Sequence, residues 1–196
     1  MTRDGISGRV TGMSILRFFV GGLAACTAMP GLAADKPKVF EVAALKFTPP
    51  KSTKEVTWTV EAPTSRMRKA QFKVVGAKAE ATAQCVFFYF GPGAAGGVQA
   101  NFARWIKQFS PPPKPAEINQ GTREVNKVKV HVLKVNGTYL DGPPFGAKIP
   151  KKNYRLYGAI VDAPRGAVFV KMTGPAALVM QAEAACFKMI ESALKK

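Results

Sequence analysis

Between Ala81 and Phe90 the chain reads Ala-Thr-Ala-Gln-Cys-Val-Phe-Phe-Tyr-Phe, and around Cys85 it is apolar at both parities. Successive side chains of a strand point to opposite faces, so a strand of this kind must be covered on both sides. The run therefore predicts a central strand with a layer above it and a layer below. The preceding segments alternate instead. Val56, Trp58 and Val60 are separated by Thr57 and Thr59; Arg68, Ala70, Phe72 and Val74 are separated by Lys69, Gln71 and Lys73. Each reads as a strand with one wet face.

Beyond the central strand, Gly91-Pro-Gly-Ala-Ala-Gly-Gly97 leads into a helix expected from about Val98 to Phe109. Val98, Phe102, Trp105, Ile106 and Phe109 share one helical face, with Arg104, Lys107 and Gln108 opposite. Ser110-Pro-Pro-Pro-Lys-Pro115 stops it in extended conformation. Val128, Val130 and Val132 alternate with Lys129 and His131; the parity then shifts towards Val135 and Tyr139, which predicts a bulge near Lys134. Tyr154–Val161 and Ala167–Met172 form a hairpin around Asp162-Ala-Pro-Arg-Gly166. Pro175 suits the first turn of a closing helix, capped by Thr173 or Gly174, whose buried face carries Val179, Ala182, Cys186, Met189, Ile190 and Ala193. Strands, helix, strands, helix, without internal repeat, give an α+β domain over residues 46–196: an antiparallel β-sheet covered by helices. Residues 35–45 read as a linker or a first strand.

Phe47, Trp58 and Pro63 ahead of a strand, the Gly-rich entry to the central helix, the three-strand meander and the closing helix together resemble the PsbP-like α/β/α sandwich. Within that class, Met67-Arg-Lys-Ala-Gln-Phe72, the stretch from Gly96 to Phe109 and Val170-Lys-Met-Thr-Gly-Pro175 are similar to segments of small exported bacterial proteins of unassigned function. The resemblance spans most of residues 42–194. It implies a non-enzymatic scaffold or accessory protein, and it brings no ligand with it.

Residues 1–34 stand apart from this domain. Arg3, Arg9 and Arg17 form a basic region, an apolar run from Phe18 continues to about Met29, and Gly31-Leu-Ala-Ala34 supplies small residues before Asp35. That three-part layout predicts a cleaved export signal, and the run is too short to span a bilayer. Leu23-Ala-Ala-Cys26 also resembles a lipobox, which would make Cys26 an acylated anchor. Either route places the domain in the periplasm, outside the cell or on the envelope. Residues 1–34 hold three Arg and one Asp, so residues 35–196 carry 26 basic against 11 acidic side chains, a net +15. This excess favours an anionic envelope component or an acidic protein partner, and export argues against nucleic acid; the plainer role of such charge is solubility.

The residues that could carry chemistry are few. Gly91-x-Gly93-x-x-Gly96 matches the dinucleotide fingerprint, but that site also needs a parallel strand after the helix, ending in an acid. Here prolines follow the helix and Glu117 lies in a turn, so the loop reads as a glycine turn, with small-molecule binding at Gly91–Gly97 as an alternative. A lone His131 makes no structural zinc site. No Gly-x-Ser-x-Gly elbow occurs, no paired carboxylates stand at strand ends, and Cys85 reads as core rather than as a nucleophile beside His131. The expectation is no catalytic centre, no metal and no cofactor. Cys85 and Cys186 fall on the central strand and on the buried face of the last helix; they can form a disulfide in an oxidising compartment or stay small apolar core residues.

The most suggestive segment is Gly142–Arg155, which has no acid. Lys148, Lys151, Lys152 and Arg155 are interspersed with Phe145, Ile149 and Tyr154. Cations beside aromatics suit an anionic surface or an acidic groove; a solvated loop with lysine stems laid over apolar surface is the plainer reading. The sequence thus points to an exported, non-catalytic binding or accessory protein of the bacterial envelope. The alternatives are a lipid-anchored structural protein and a small-molecule binder.

Overall fold

A computed structural model describes residues 38–78, 81–143 and 146–195. The segment read as an export signal, with Arg3, Arg9, Arg17 and Cys26, lies outside the described residues. So does Phe145.

The architecture is α+β. Short strands β1 (Phe40–Val42) and β2 (Leu45–Phe47) form a two-stranded hairpin across Ala43 and Ala44, both at positive φ. The segment read as a linker or a first strand thus contains β1 and the start of β2, and Phe47 ends β2. A seven-stranded sheet follows, made of β3 (Val56–Glu61), β4 (Arg68–Gly76), β5 (Thr82–Tyr89), β6 (Ile118–Val125), β7 (Val128–Asp141), β8 (Ile149–Val161) and β9 (Val168–Pro175). Its order is β3-β4-β5-β9-β8-β7-β6, and every pairing is antiparallel. The doubly apolar run is β5, third from one edge, with Cys85, Val86 and Phe87 all buried.

Helix α1 (Val98–Ile106) and helix α2 (Ala176–Ser192) cover opposite faces. Phe102 and Trp105, with Phe109 just past the helix, pack on Leu133, Val135, Leu156, Ile160 and Phe169. Leu178, Val179, Ala182, Cys186, Met189 and Ile190 pack on Phe72, Phe87, Val130, Tyr157, Val170 and Met172, with Phe47 completing that layer. Alternation along each strand sends one set of side chains to each layer. Gly158 is required by this packing, because a Cβ there would stand 2.3 Å from Cζ3 of Trp105.

Several expectations are corrected. No bulge occurs at Lys134: β7 runs straight through it, with Val130 and Val132 facing α2 and Leu133 and Val135 facing α1. The apparent parity shift records burial on both faces. The irregularity lies further along, where Gly137↔Tyr154 is followed by Tyr139↔Lys151; this leaves one extra residue on β8 around Asn153, which has φ +55°. Gln71 belongs to no wet face; it is 2% exposed. Pro175 takes the cap position of α2 without a side-chain capping bond, and Gly174 belongs to β9, where a Cβ would meet that of Ala83 at 2.3 Å. Strand β6, whose sequence Ile-Asn-Gln-Gly-Thr-Arg-Glu-Val is mostly polar and exposed, was not anticipated.

Candidate functional site

The basic segment does not form one loop. Residues Ile149–Lys151 pair with Tyr139–Asp141 as part of β8, whereas β8 meets β9 only from Tyr154 onward. The end of the β7–β8 hairpin therefore has no β9 partner beside it. Lys148 and Lys152 on this tip are exposed, Lys151 is half-buried, and Ile149 is 56% exposed. The Lys148 ammonium donates to the Pro143 carbonyl, and at 3.4 Å to that of Gly142, so it also tacks down the turn.

Arg155 does not belong with them. Its register partner Gly174 and its neighbour Tyr157 place it on the α2 face, where its guanidinium pairs with Glu183 of α2 and donates to Asn136 Oδ1 at 2.7 Å. Lys134 Nζ holds the other Glu183 oxygen at 2.6 Å. With Arg155 and Glu183 only 11% and 13% exposed, this cation ties a helix to the sheet. Tyr154 faces the other way, stacked on Tyr139 at 6.3 Å and 7°.

The cysteines do come together. Sγ of Cys85 and Sγ of Cys186 are 3.9 Å apart as two free thiols, both fully buried between β5 and α2. The thiol–thiol hydrogen bond and burial push the Cys85 pKa well above its ordinary value. His131 is held between Thr122 Oγ1, 2.9 Å from Nδ1, and Asp162 Oδ2, 3.0 Å from Nε2. Thr122 lies directly opposite His131 in the β6–β7 register, so the contact is a cross-strand tie of the sheet edge. In the glycine loop Gly91, Gly93 and Gly96 all take positive φ, and the Asn101 side chain donates to the carbonyls of Ala95 and Gly97 at 2.8 and 3.0 Å. The loop is thereby closed onto the first turn of α1. The antiparallel sheet also lacks the parallel crossover on which a dinucleotide site is built.

One further constellation escaped sequence reasoning. Helix α1 is nine residues long, and on its face of the sheet the β3–β4–β5 side carries polar groups instead of core. Lys73, Gln84 and Thr173 align across β4, β5 and β9. With Glu61, Thr82, Asp141 and the two stacked tyrosines they line an open hollow of about 320 Å³. Behind it stands a set of braces. Arg68 donates to Gln71 Oε1 at 2.7 Å and Gln84 Oε1 at 2.8 Å, while Gln71 Nε2 donates to Glu61 Oε2 at 2.9 Å. Lys171 Nζ donates to Gln108 Oε1 at 2.5 Å and to the Tyr139 hydroxyl at 2.9 Å, and that hydroxyl donates to Gln108 at 3.1 Å. Burial, and then the nearby Arg68 charge, lower the Lys171 pKa to about 8. Burial, and then Asp141, raise Tyr139 to about 12. Gln71 lies opposite Glu61 and Val86, and Lys171 opposite Val86 and Gly158, so only the strand register discloses that these polar groups converge.

Among the described residues no three His, Cys, Asp or Glu side chains group as a metal site, and no helix is long and apolar enough to cross a membrane. Comparison with family models, with curated proteins and with solved structures yields no match.

Proposed function

We propose that the protein is an exported, non-catalytic binding or accessory protein of the bacterial envelope, built as a PsbP-like α/β/α sandwich, that docks on an anionic surface. The observation that carries this reading is the tip of the β7–β8 hairpin. It carries the exposed Lys148 and Lys152 and the half-buried Lys151 beside an exposed Ile149, where β9 leaves β8 without a second neighbour. Among the described residues none of these three lysines has a carboxylate within ion-pair distance, in contrast to Lys134 and Arg155, which share Glu183. Ammonium groups near an anionic bilayer contribute about 1 kcal/mol each, and a neighbouring apolar side chain can enter the headgroup boundary. The net +15 over residues 35–196 adds long-range attraction at low salt.

Cosedimentation with phosphatidylglycerol-containing vesicles tests the reading. The protein pellets with anionic vesicles at low salt, releases as salt rises, and ignores phosphatidylcholine vesicles. Equal recovery with both lipids would refute it.

A further inference from the structure

The hollow on the α1 face is not explained by docking through the hairpin tip. Its lining mixes acceptors and donors without joining them: among the described residues neither Glu61 nor Asp141 is ion-paired, and Lys73 is not ion-paired either. Each carboxylate already accepts one neutral hydrogen bond, Glu61 from Gln71 and Asp141 from the Gly142 amide at 2.9 Å, and keeps an oxygen to spare. Gln84 is oriented as well. Because Arg68 occupies its Oε1, its amide NH₂ is left to donate elsewhere. Thr82 and Thr173 add hydroxyls able to donate or accept, and the ring of Tyr154 flanks the space.

This set discriminates between ligand chemistries. A bare anion would face two carboxylates. A cation would face Lys73, with Arg68 and Lys171 behind the lining. An apolar molecule would cover the carboxylates and the Gln84 amide without giving them partners, which disfavours it. A neutral polyol satisfies all of them, since each of its hydroxyls donates to a carboxylate oxygen or accepts from an amide or ammonium. We propose that the hollow is a binding site for a neutral saccharide, with Glu61 and Asp141 accepting from its hydroxyls, Gln84 and Lys73 donating to its oxygens, and Tyr154 against a ring face. Arg68 and Lys171 are positioning residues that fix Gln84 and Tyr139 and need not touch the sugar. None of the hairpin lysines lines the hollow, although Tyr139 and Asp141 of its lining pair with Lys151 and Ile149 on the same hairpin.

Amide chemical shifts of the full chain, titrated separately with cellotriose and triacetylchitotriose, decide the matter. The expected result is saturable shifts clustered at Thr82, Gln84 and Thr173 with at least one trisaccharide, in the millimolar range usual for open polar sites. Affinity should fall at least tenfold in Glu61→Gln and in Gln84→Leu, and stay unchanged when the exposed Lys46, Lys51 and Lys54, none of which lines the hollow, are replaced by Gln. Should Gln84→Leu fail to fold, the exposed Lys73→Met serves in its place, with the same loss expected. No saturation with either sugar up to about 10 mM, or equal affinity in these hollow variants, overturns the proposal. So does tighter binding of glycylglycine or inorganic phosphate at the same amides, since that would make the site one for charged ligands.

Discussion

Trp105 lies so close over Gly158 that any Cβ at 158 would fall 2.3 and 2.5 Å from its ring carbons, and this contact makes a two-sided prediction. The indole is 7% exposed, meets Phe169 edge-on at 6.3 Å and Phe102 at 6.0 Å, and is the largest side chain that the short α1 contributes to its layer. Trp105→Ala should cost about 3–5 kcal/mol, the range for emptying a large aromatic site. Gly158→Ala alone should cost about 1–3 kcal/mol, because its methyl has to displace a ring packed from several sides. In the Trp105→Ala background the same methyl enters vacated space, and Ala outperforms Gly in a strand by about 0.5–1 kcal/mol. The second substitution should then be neutral or stabilising. Urea unfolding reads all four proteins of the cycle; with a slope of about 2 kcal/mol per molar, Trp105→Ala lowers the midpoint by about 1.5–2.5 M. Additive losses in the double variant would refute the docking of α1 on β8, since residues in contact must couple.

Lys171 gives a pH prediction. Its folded pKa of about 8 is below that of an unfolded lysine, so the unfolded chain binds the extra proton between roughly pH 8 and 10 and stability from this group rises across that window. Gln108, Tyr139, Arg68, Asp141 and Lys148 face it, and Tyr139 titrates above the window. Lys171→Met should flatten the rise between pH 7.5 and 9.5; an unchanged slope would contradict it. For the thiols, iodoacetamide should label neither Cys85 nor Cys186 in the folded, reduced protein and both after unfolding, and mass spectrometry counts the adducts. Labelling of the folded protein would show that the β5–α2 interface opens. Intact-mass and N-terminal analysis of protein from the native envelope fraction should give a start near Ala34 or Asp35; a diacylglyceryl Cys26 would establish the anchored alternative, and retention of residues 1–34 would remove the export reading.

The apolar periodicity made most of the sheet and both helices legible, because burial on one or both faces leaves a pattern that local propensity cannot hide. The central position of β5 followed from its double apolar parity, and the α1 and α2 faces followed from helical spacing. Strand β6 left no such mark. As an edge strand it buries little, and its only cue was the Asn126-Lys127 turn, whose two residues both adopt positive φ as a tight hairpin requires. The basic segment showed its composition but not its partition. Nothing in Tyr154-Arg155 reveals that Arg155 turns inward to Glu183, twenty-eight residues later, while Tyr154 turns to the opposite face. The hollow was hidden for the same reason: Glu61, Lys73, Gln84 and Asp141 come from four strands and are brought together only by register. Long-range polar convergence has no local sequence signature.

The central claim is that anionic recognition is local to the hairpin tip, and one vesicle titration tests it against diffuse charge. The Lys148, Lys151 and Lys152 triple Gln variant is compared with a second triple Gln variant at the exposed Lys46, Lys51 and Lys54, which loses the same net charge elsewhere. At about 1 kcal/mol per lysine near the bilayer, the hairpin variant should bind phosphatidylglycerol vesicles about 100-fold more weakly than the unaltered protein at low salt. The account predicts only a few-fold loss for the control; equal losses in the two variants would contradict it.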